Sequence, residues 1–112
     1  MSNNFAIAGG NTFHSDSYTT TGNGVTVSAP LPASNFALQC ISVGGIATTW
    51  TIILEGSIDG VTFSTLITHT NITGDSVTLW TSTPAPCRSF RSRCSSLTLG
   101  PATSVTAQVL AT

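Results

Sequence analysis

From residue 35 onward the chain alternates apolar and polar side chains in short runs punctuated by Gly, Pro and Asn. The run "NFALQCISV" (35–43) sets Phe36, Leu38 and Cys40 on one face and Ala37, Gln39, Ile41 and Val43 on the other, and Gly44-Gly45 ends it. "TTWTIILEGS" (48–57) does the same with Trp50, Ile52 and Leu54 against Thr51, Ile53 and Glu55. Asp59-Gly60 is the dipeptide that a tight hairpin prefers where it needs positive φ, and "VTFSTLI" (61–67) resumes the alternation with Val61, Phe63 and Thr65 in phase. Three further strands are expected at "DSVTLW" (75–80), "RSFRSRC" (88–94) and "SVTAQVLA" (104–111), separated by "TSTPAPC" and "LTLGPAT". No window of about eleven residues repeats apolar side chains at helical spacing.

This pattern predicts an all-β chain of seven or eight short strands, arranged as an antiparallel β-sandwich of jelly-roll type. Its expected core is Phe36, Leu38, Trp50, Ile52, Leu54, Phe63, Leu79, Phe90, Val105 and Val109. Residues 1–28 read differently. They are rich in Asn, Thr, Ser and Gly, with Phe5, Ile7, Phe13 and Tyr18 as scattered anchors, and Pro30 and Pro32 follow the Asn23-Gly24 turn signal. An extended N-terminal arm with short strands over 1–28, ordered by contact with a partner, and a sandwich over 29–112 are therefore expected. A chain of 112 residues suffices for one such domain without metal or disulfide staples.

Composition narrows the function classes. Three basic and four acidic residues, with no lysine, stand against a usual charged share of about a quarter. Ser and Thr make up about a third of the chain, so its surface is coated with hydroxyls rather than ions. Copies are held apart by little charge repulsion, which suits burial in an assembly. Three arginines are too few for the multi-phosphate contacts of nucleic-acid binding. No run approaches the roughly 20 apolar residues of a spanning helix, so no membrane partner is expected. The opening "MSNNFAIAGGNTF" has neither the basic nor the apolar region of a secretion signal, which points to folding in a cytoplasm.

Candidate chemistry is sparse. Glu55 and Asp59 flank a turn but lack the further oxygen ligands that calcium requires, and the turn alone explains Asp59. His14, Ser15 and Asp16 adjoin, and His69 lies near Asp75, yet no Gly-x-Ser-x-Gly elbow marks a nucleophile and no enzyme activity is expected. Cys40, Cys87 and Cys94 lack zinc-finger spacing and read as free thiols, with Cys40 and Cys94 buried. A Cys87–Cys94 disulfide is disfavoured because seven strand residues span about 23 Å, whereas a bridge needs Cα atoms within about 7 Å. No metal or cofactor is expected. Asn71-Ile72-Thr73 matches a glycosylation sequon but reads as a polar loop. Trp50 is in phase with the core, while Trp80 ends its run and could instead offer a sugar-stacking surface. Arg91 and Arg93 share the face opposite Phe90, Ser92 and Cys94, either as solvated decoration or as interface cations.

The ordered set "NFALQCISVGG", "TWTIILEGSIDGVTFSTL" and "CRSFRSRCSSLTLGPATSVTAQVLAT" resembles a loose group of small jelly-roll or β-sandwich virion proteins of tailed bacteriophages. The resemblance covers about residues 35–112, and Phe63 stands where that group commonly has tryptophan. It implies a non-enzymatic structural protein of the virion. The first expectation is a head decoration or cement protein, a homotrimer on the outer capsid surface that binds the major capsid protein, with Phe5, Ile7, Phe13, Tyr18, Arg91 and Arg93 as interface residues. The alternative is a tail- or fibre-associated module that binds host-surface glycan.

Overall fold

A computed structural model describes the backbone of residues 3–7, 11–71 and 78–112, and the side chains of residues 12–28, 35–70 and 87–112. Among the described residues there are eight strands and no helix: β1 (Asn3–Ile7), β2 (Asn11–Tyr18), β3 (Gly22–Asn23), β4 (Val27–Val43), β5 (Thr49–Ser57), β6 (Ser64–Asn71), β7 (Thr78–Thr98) and β8 (Ser104–Ala111). Every pairing is antiparallel, in the order β1-β2-β8-β4-β7-β5-β6, with β3 against β7. The expected all-β sandwich is the observed fold, with layers of five and three strands.

Two strands belong to both layers. In the larger layer β4 pairs with β8 and with the first part of β7, from Asn35↔Pro84 to Ile41↔Thr78. In the smaller layer the second part of β7 pairs with β5, from Ser57↔Ser89 to Thr49↔Thr98, while Val27 of β4 lies opposite Phe90. Between these regions the β4–β7 register slips twice, between Ser28 and Ala33 and between Ala33 and Asn35. Pro30, Pro32, Pro84 and Pro86 fall in or beside this stretch. Proline donates no ladder hydrogen bond, so the pairing loosens there and both strands can turn from one layer into the other.

The prolines therefore have a different role from the one expected. "TSTPAPC" does not separate two strands but lies within the continuous β7, and Pro30 and Pro32 lie within β4. The expected boundary between residues 28 and 29 falls inside β4. Nor does Asn11–Tyr18 lie apart from the sandwich, because β2 pairs with β8 from Thr12↔Ala111 to Tyr18↔Val105. Its inward side chains alternate as the strand period demands, with Thr12, His14, Asp16 and Tyr18 all buried.

Between the layers, Phe36, Leu38, Cys40, Val105, Ala107, Val109 and Tyr18 meet Trp50, Ile52, Leu54, Ile67, Phe90 and Cys94 in one core. Phe36 and Phe90 meet edge to face, with centroids 5.4 Å apart and planes at 67°. Eight of the ten expected core residues are there. Phe63 is not: it is half-buried in the β5–β6 connection under the Arg91 guanidinium. The side chain of Leu79 lies outside the described set.

Leu54 is fully buried at the centre of the smaller layer. Leu54→Ala is expected to cost about 2–5 kcal/mol in urea unfolding, through lost transfer energy and the cavity left behind. Ile58→Ala, on the 76 % exposed Ile58, is the control and should change stability by less than about 0.5 kcal/mol.

Candidate functional site

The alternation that buries Ile52 and Leu54 turns Ile53 and Glu55 to the outer face of the smaller layer. The register places Glu55 opposite Arg91 and Ile53 opposite Arg93. Arg91 Nε donates to Glu55 Oε1 at 2.9 Å and Arg93 Nε donates to Glu55 Oε2 at 3.2 Å. Arg91 also lies 4.0 Å over the Phe63 ring. The Glu55 side chain is only 10 % exposed beneath guanidinium side chains that are 24 % and 34 % exposed. Glu55 flanks the same turn as Asp59 in sequence, but its contacts lie on the neighbouring strand. The signal was present in the matching outward phase of Glu55 and the two arginines.

Asp59 organises the connection between β5 and β6. Its Oδ1 accepts the backbone N–H groups of Val61 and Thr62, each at 2.8 Å, and the Ser57 hydroxyl at 2.9 Å. These donors, Thr62 first and then Val61, hold its carboxyl well below the ordinary range. Ser57 Oγ accepts the Gly60 N–H at 2.8 Å, and Gly60 takes φ 80°, as its lack of a side chain permits. The turn is wider than the tight hairpin expected, because β5 ends at Ser57 and β6 starts at Ser64. Val61 and Phe63 thus belong to the connection, whose tip exposes Ile58 by 76 % and Val61 by 82 %. A cleft of about 440 Å³ lies behind it, lined by Ser57, Ile58, Leu66 and Cys87.

The strand that follows this turn, β6, is an edge of the smaller layer, and β1 is the edge of the larger one. Neither "STLITHTN" nor "NNFAI" contains Lys, Arg, Asp, Glu or Pro, the usual means of blunting a sheet edge. Thr65, Thr68 and Thr70 of β6 are exposed.

A second polar group is closed inside the sandwich. His14 Nε2 lies 2.9 Å from Asp16 Oδ2, Ser92 Oγ donates to the same oxygen at 3.3 Å, and Tyr18 OH lies 2.6 Å from Ser92 Oγ. All four residues are buried. Ser92 and His14 meet on one carboxylate oxygen and not on each other, so the serine–histidine contact of a triad is missing from this group. Gly24 packs against this group: a Cβ there would collide with Asp16 Oδ2 and the Tyr18 hydroxyl. A shallow cleft of about 320 Å³ runs along this loop, lined by Asp16, Tyr18, Thr19, Thr20, Thr21 and Asn23.

The three cysteines are free and buried, as expected for Cys40 and Cys94. Cys40 Sγ lies 3.8 Å from His69 Nδ1, and burial, then the nearby Cys94, pushes the Cys40 thiol up to about 12. Burial also raises Cys87 and Cys94 and lowers His69. Among the described residues no three His, Cys, Asp or Glu side chains converge as metal ligands.

Of the expected interface residues, Arg91 and Arg93 come together on Glu55. Tyr18 is core, and Phe13 is half-buried opposite Phe5 and Leu110 in the strand register. Phe5 and Ile7 lie on β1, and Trp80 faces Gln39 in register; their side chains are outside the described set. Trp50 is buried, as its phase implied. Asn71 ends β6, and the rest of the sequon is outside the described residues.

Burial raises the Tyr18 hydroxyl to about 12, against an ordinary 10.0, and Cys40 to about 12, against 9.0. Folding favours the neutral form of both, so their contribution is complete below pH 9 and is lost as pH rises towards 12. Urea stability is expected to be level from pH 7 to 9 and to fall above it. Tyr18→Phe should cost about 1 kcal/mol at pH 7 through the lost bond to Ser92 and flatten the decline above pH 10; an unchanged decline would count against this assignment.

Compared with known proteins, the chain matches no family model, no curated protein and no solved structure.

Proposed function

We propose that this chain is a structural subunit of a tailed-bacteriophage virion, a decoration or cement protein of jelly-roll type that sits on the outer head lattice and braces major capsid subunits. It acts by binding and not by turnover. The observation that carries this reading is the eight-residue edge strand β6, uncharged and free of proline, running out of a turn whose tip exposes Ile58 and Val61. A lone soluble domain normally blunts such an edge; a subunit that spends its working life paired does not need to. Strand addition at β6, with the apolar tip inserted into a neighbour, gives both affinity and register. The same bare edges support self-association, for which a homotrimer is the form proposed. The motif resemblance of residues 35–112 supplies the virion context.

The tail- or fibre-module reading has one observation in its favour, the cleft along residues 16–25, whose Asp, Tyr, Thr and Asn lining suits sugar hydroxyls. Electron microscopy of intact virions labelled with antibody to the chain separates the two. Label over the head surface is expected. Label at the tail tip alone transfers the assignment to the glycan-binding module, and its absence from all particles removes both.

Edge pairing has its own test. Thr65→Lys with Thr68→Lys places two charges on exposed positions of β6. In sedimentation the double variant is expected to shift towards monomer while keeping its circular dichroism spectrum. A wild-type chain that is monomeric at every concentration would sink the self-association route.

A further inference from the structure

We infer that the outward face of β7 that carries Arg91 and Arg93 is a docking surface for a protein segment that presents carboxylates. The inference rests on the reading of the chain as a binding subunit, but not on which part of a particle it occupies.

The first ground is where the charges fall. All three cations of the chain lie within residues 88–93. Asp16 is buried against His14, and Asp59 is tied into its turn by two backbone N–H groups. Among the described residues Glu55 is the acid that meets the cluster, one carboxylate beneath two guanidinium groups. A pair made only to neutralise Glu55 would need a single arginine. The second leaves one positive charge over, and exposed Arg88 adds another.

The second ground is order. Arg91 and Arg93 each spend their Nε–H on Glu55, and Phe63 supports Arg91 from the side. Both contacts run through Nε, and both guanidinium side chains remain partly exposed, 24 % for Arg91 and 34 % for Arg93. Two planar forks held in place before contact match carboxylate geometry and lose little side-chain freedom on binding. Beyond them the same outer face offers half-buried Ile53 and the threonines Thr51, Thr68 and Thr70. That surface is uncharged and suits an extended peptide better than a polyanion. Three cations on a chain of net charge −1 cannot sustain the repeated phosphate contacts of nucleic acid, whereas a protein segment needs only one or two well-placed carboxylates.

The experiment uses the full-length chain and a fluorescein-labelled peptide of alternating glutamate and threonine, read by anisotropy. A lysine–threonine peptide is the control and inorganic phosphate the competitor. Saturable binding of the glutamate peptide is expected, weakening at high salt and falling about fivefold with Arg93→Gln, the size of one partly exposed ion pair. Thr68→Glu sets a carboxylate on an exposed position of the same outer face, opposite Ile53, and should also weaken binding, an effect readable even if Arg93→Gln unsettles the fold. Glu55→Gln removes the internal competitor and should leave binding equal or tighter, although it weakens the cluster. Four results would each overturn the inference: no binding; equal binding of the lysine peptide; displacement by phosphate as effective as by unlabelled peptide; or indifference to both Arg93→Gln and Thr68→Glu. Loss of binding in Glu55→Gln with the fold intact would do so as well, by showing that the arginines serve only the carboxylate. None of these results bears on where the chain sits in a virion, so this inference and the virion reading fail separately.

Discussion

The passage of β4 and β7 through both layers is the constraint on which the rest of this structure depends. A sandwich made only of short strands would join its sheets through loops, and the faces could shift relative to each other. Here the hydrogen-bonded β4–β7 pair runs from one layer into the other. Register in the larger layer therefore fixes which residues of β7 face β5 in the smaller one. Phe36 and Phe90 lie on either side of the crossing and meet edge to face, so the aromatic contact and the backbone pairing specify the same alignment. Because side chains alternate with period two, that alignment also decides what faces outward. Burying Phe90, Ser92 and Cys94 obliges Arg91 and Arg93 to stand beside Glu55.

The same economy governs the charges. With so few ionic groups, those that the structure describes are nearly all bound by specific partners: Asp16 by His14 and Ser92, Glu55 by two arginines, and Asp59 by its own turn. A buried carboxylate without such partners would cost several kcal/mol, so each acid present in the core or half-core is hydrogen-bonded. Among the described residues, what remains outside is rich in Ser and Thr hydroxyls, with Arg88 and apolar side chains such as Ile58 and Val61 among them. Such a surface repels its own copies little.

Local alternation was legible in the sequence because the strand period is a local property. It placed Phe36, Leu38, Trp50, Ile52, Leu54, Phe90, Val105 and Val109 in the core and Cys40 and Cys94 beside them. It failed where a non-local term decided. The prolines at 30, 32, 84 and 86 read as strand ends, yet the β4–β7 pairing continues past them with two slips of register. Phe63 kept the right phase on paper, but the Asp59 turn uses more residues than a two-residue hairpin and releases Phe63 to the surface. Residues 11–18 looked too polar for a core strand. Their inward positions are His, Asp and Tyr, which become tolerable only when Ser92, far along the chain, supplies the hydrogen bonds.

The Glu55 cluster and the β6 edge lie on the same small layer, and their proximity joins two otherwise separate modes of contact. Strand addition at an edge supplies backbone hydrogen bonds that are strong in sum but nearly blind to sequence. Left alone, an edge as plain as "STLITHTN" would accept many partners. Charge does the opposite: a few ordered guanidinium groups contribute modest affinity but penalise any partner that brings a cation or an apolar side chain against them. A partner strand laid on β6 extends the sheet that carries Arg91 and Arg93 two strands away, within one continuous outer face. The edge can then provide the affinity, and the arginines can select which neighbour remains.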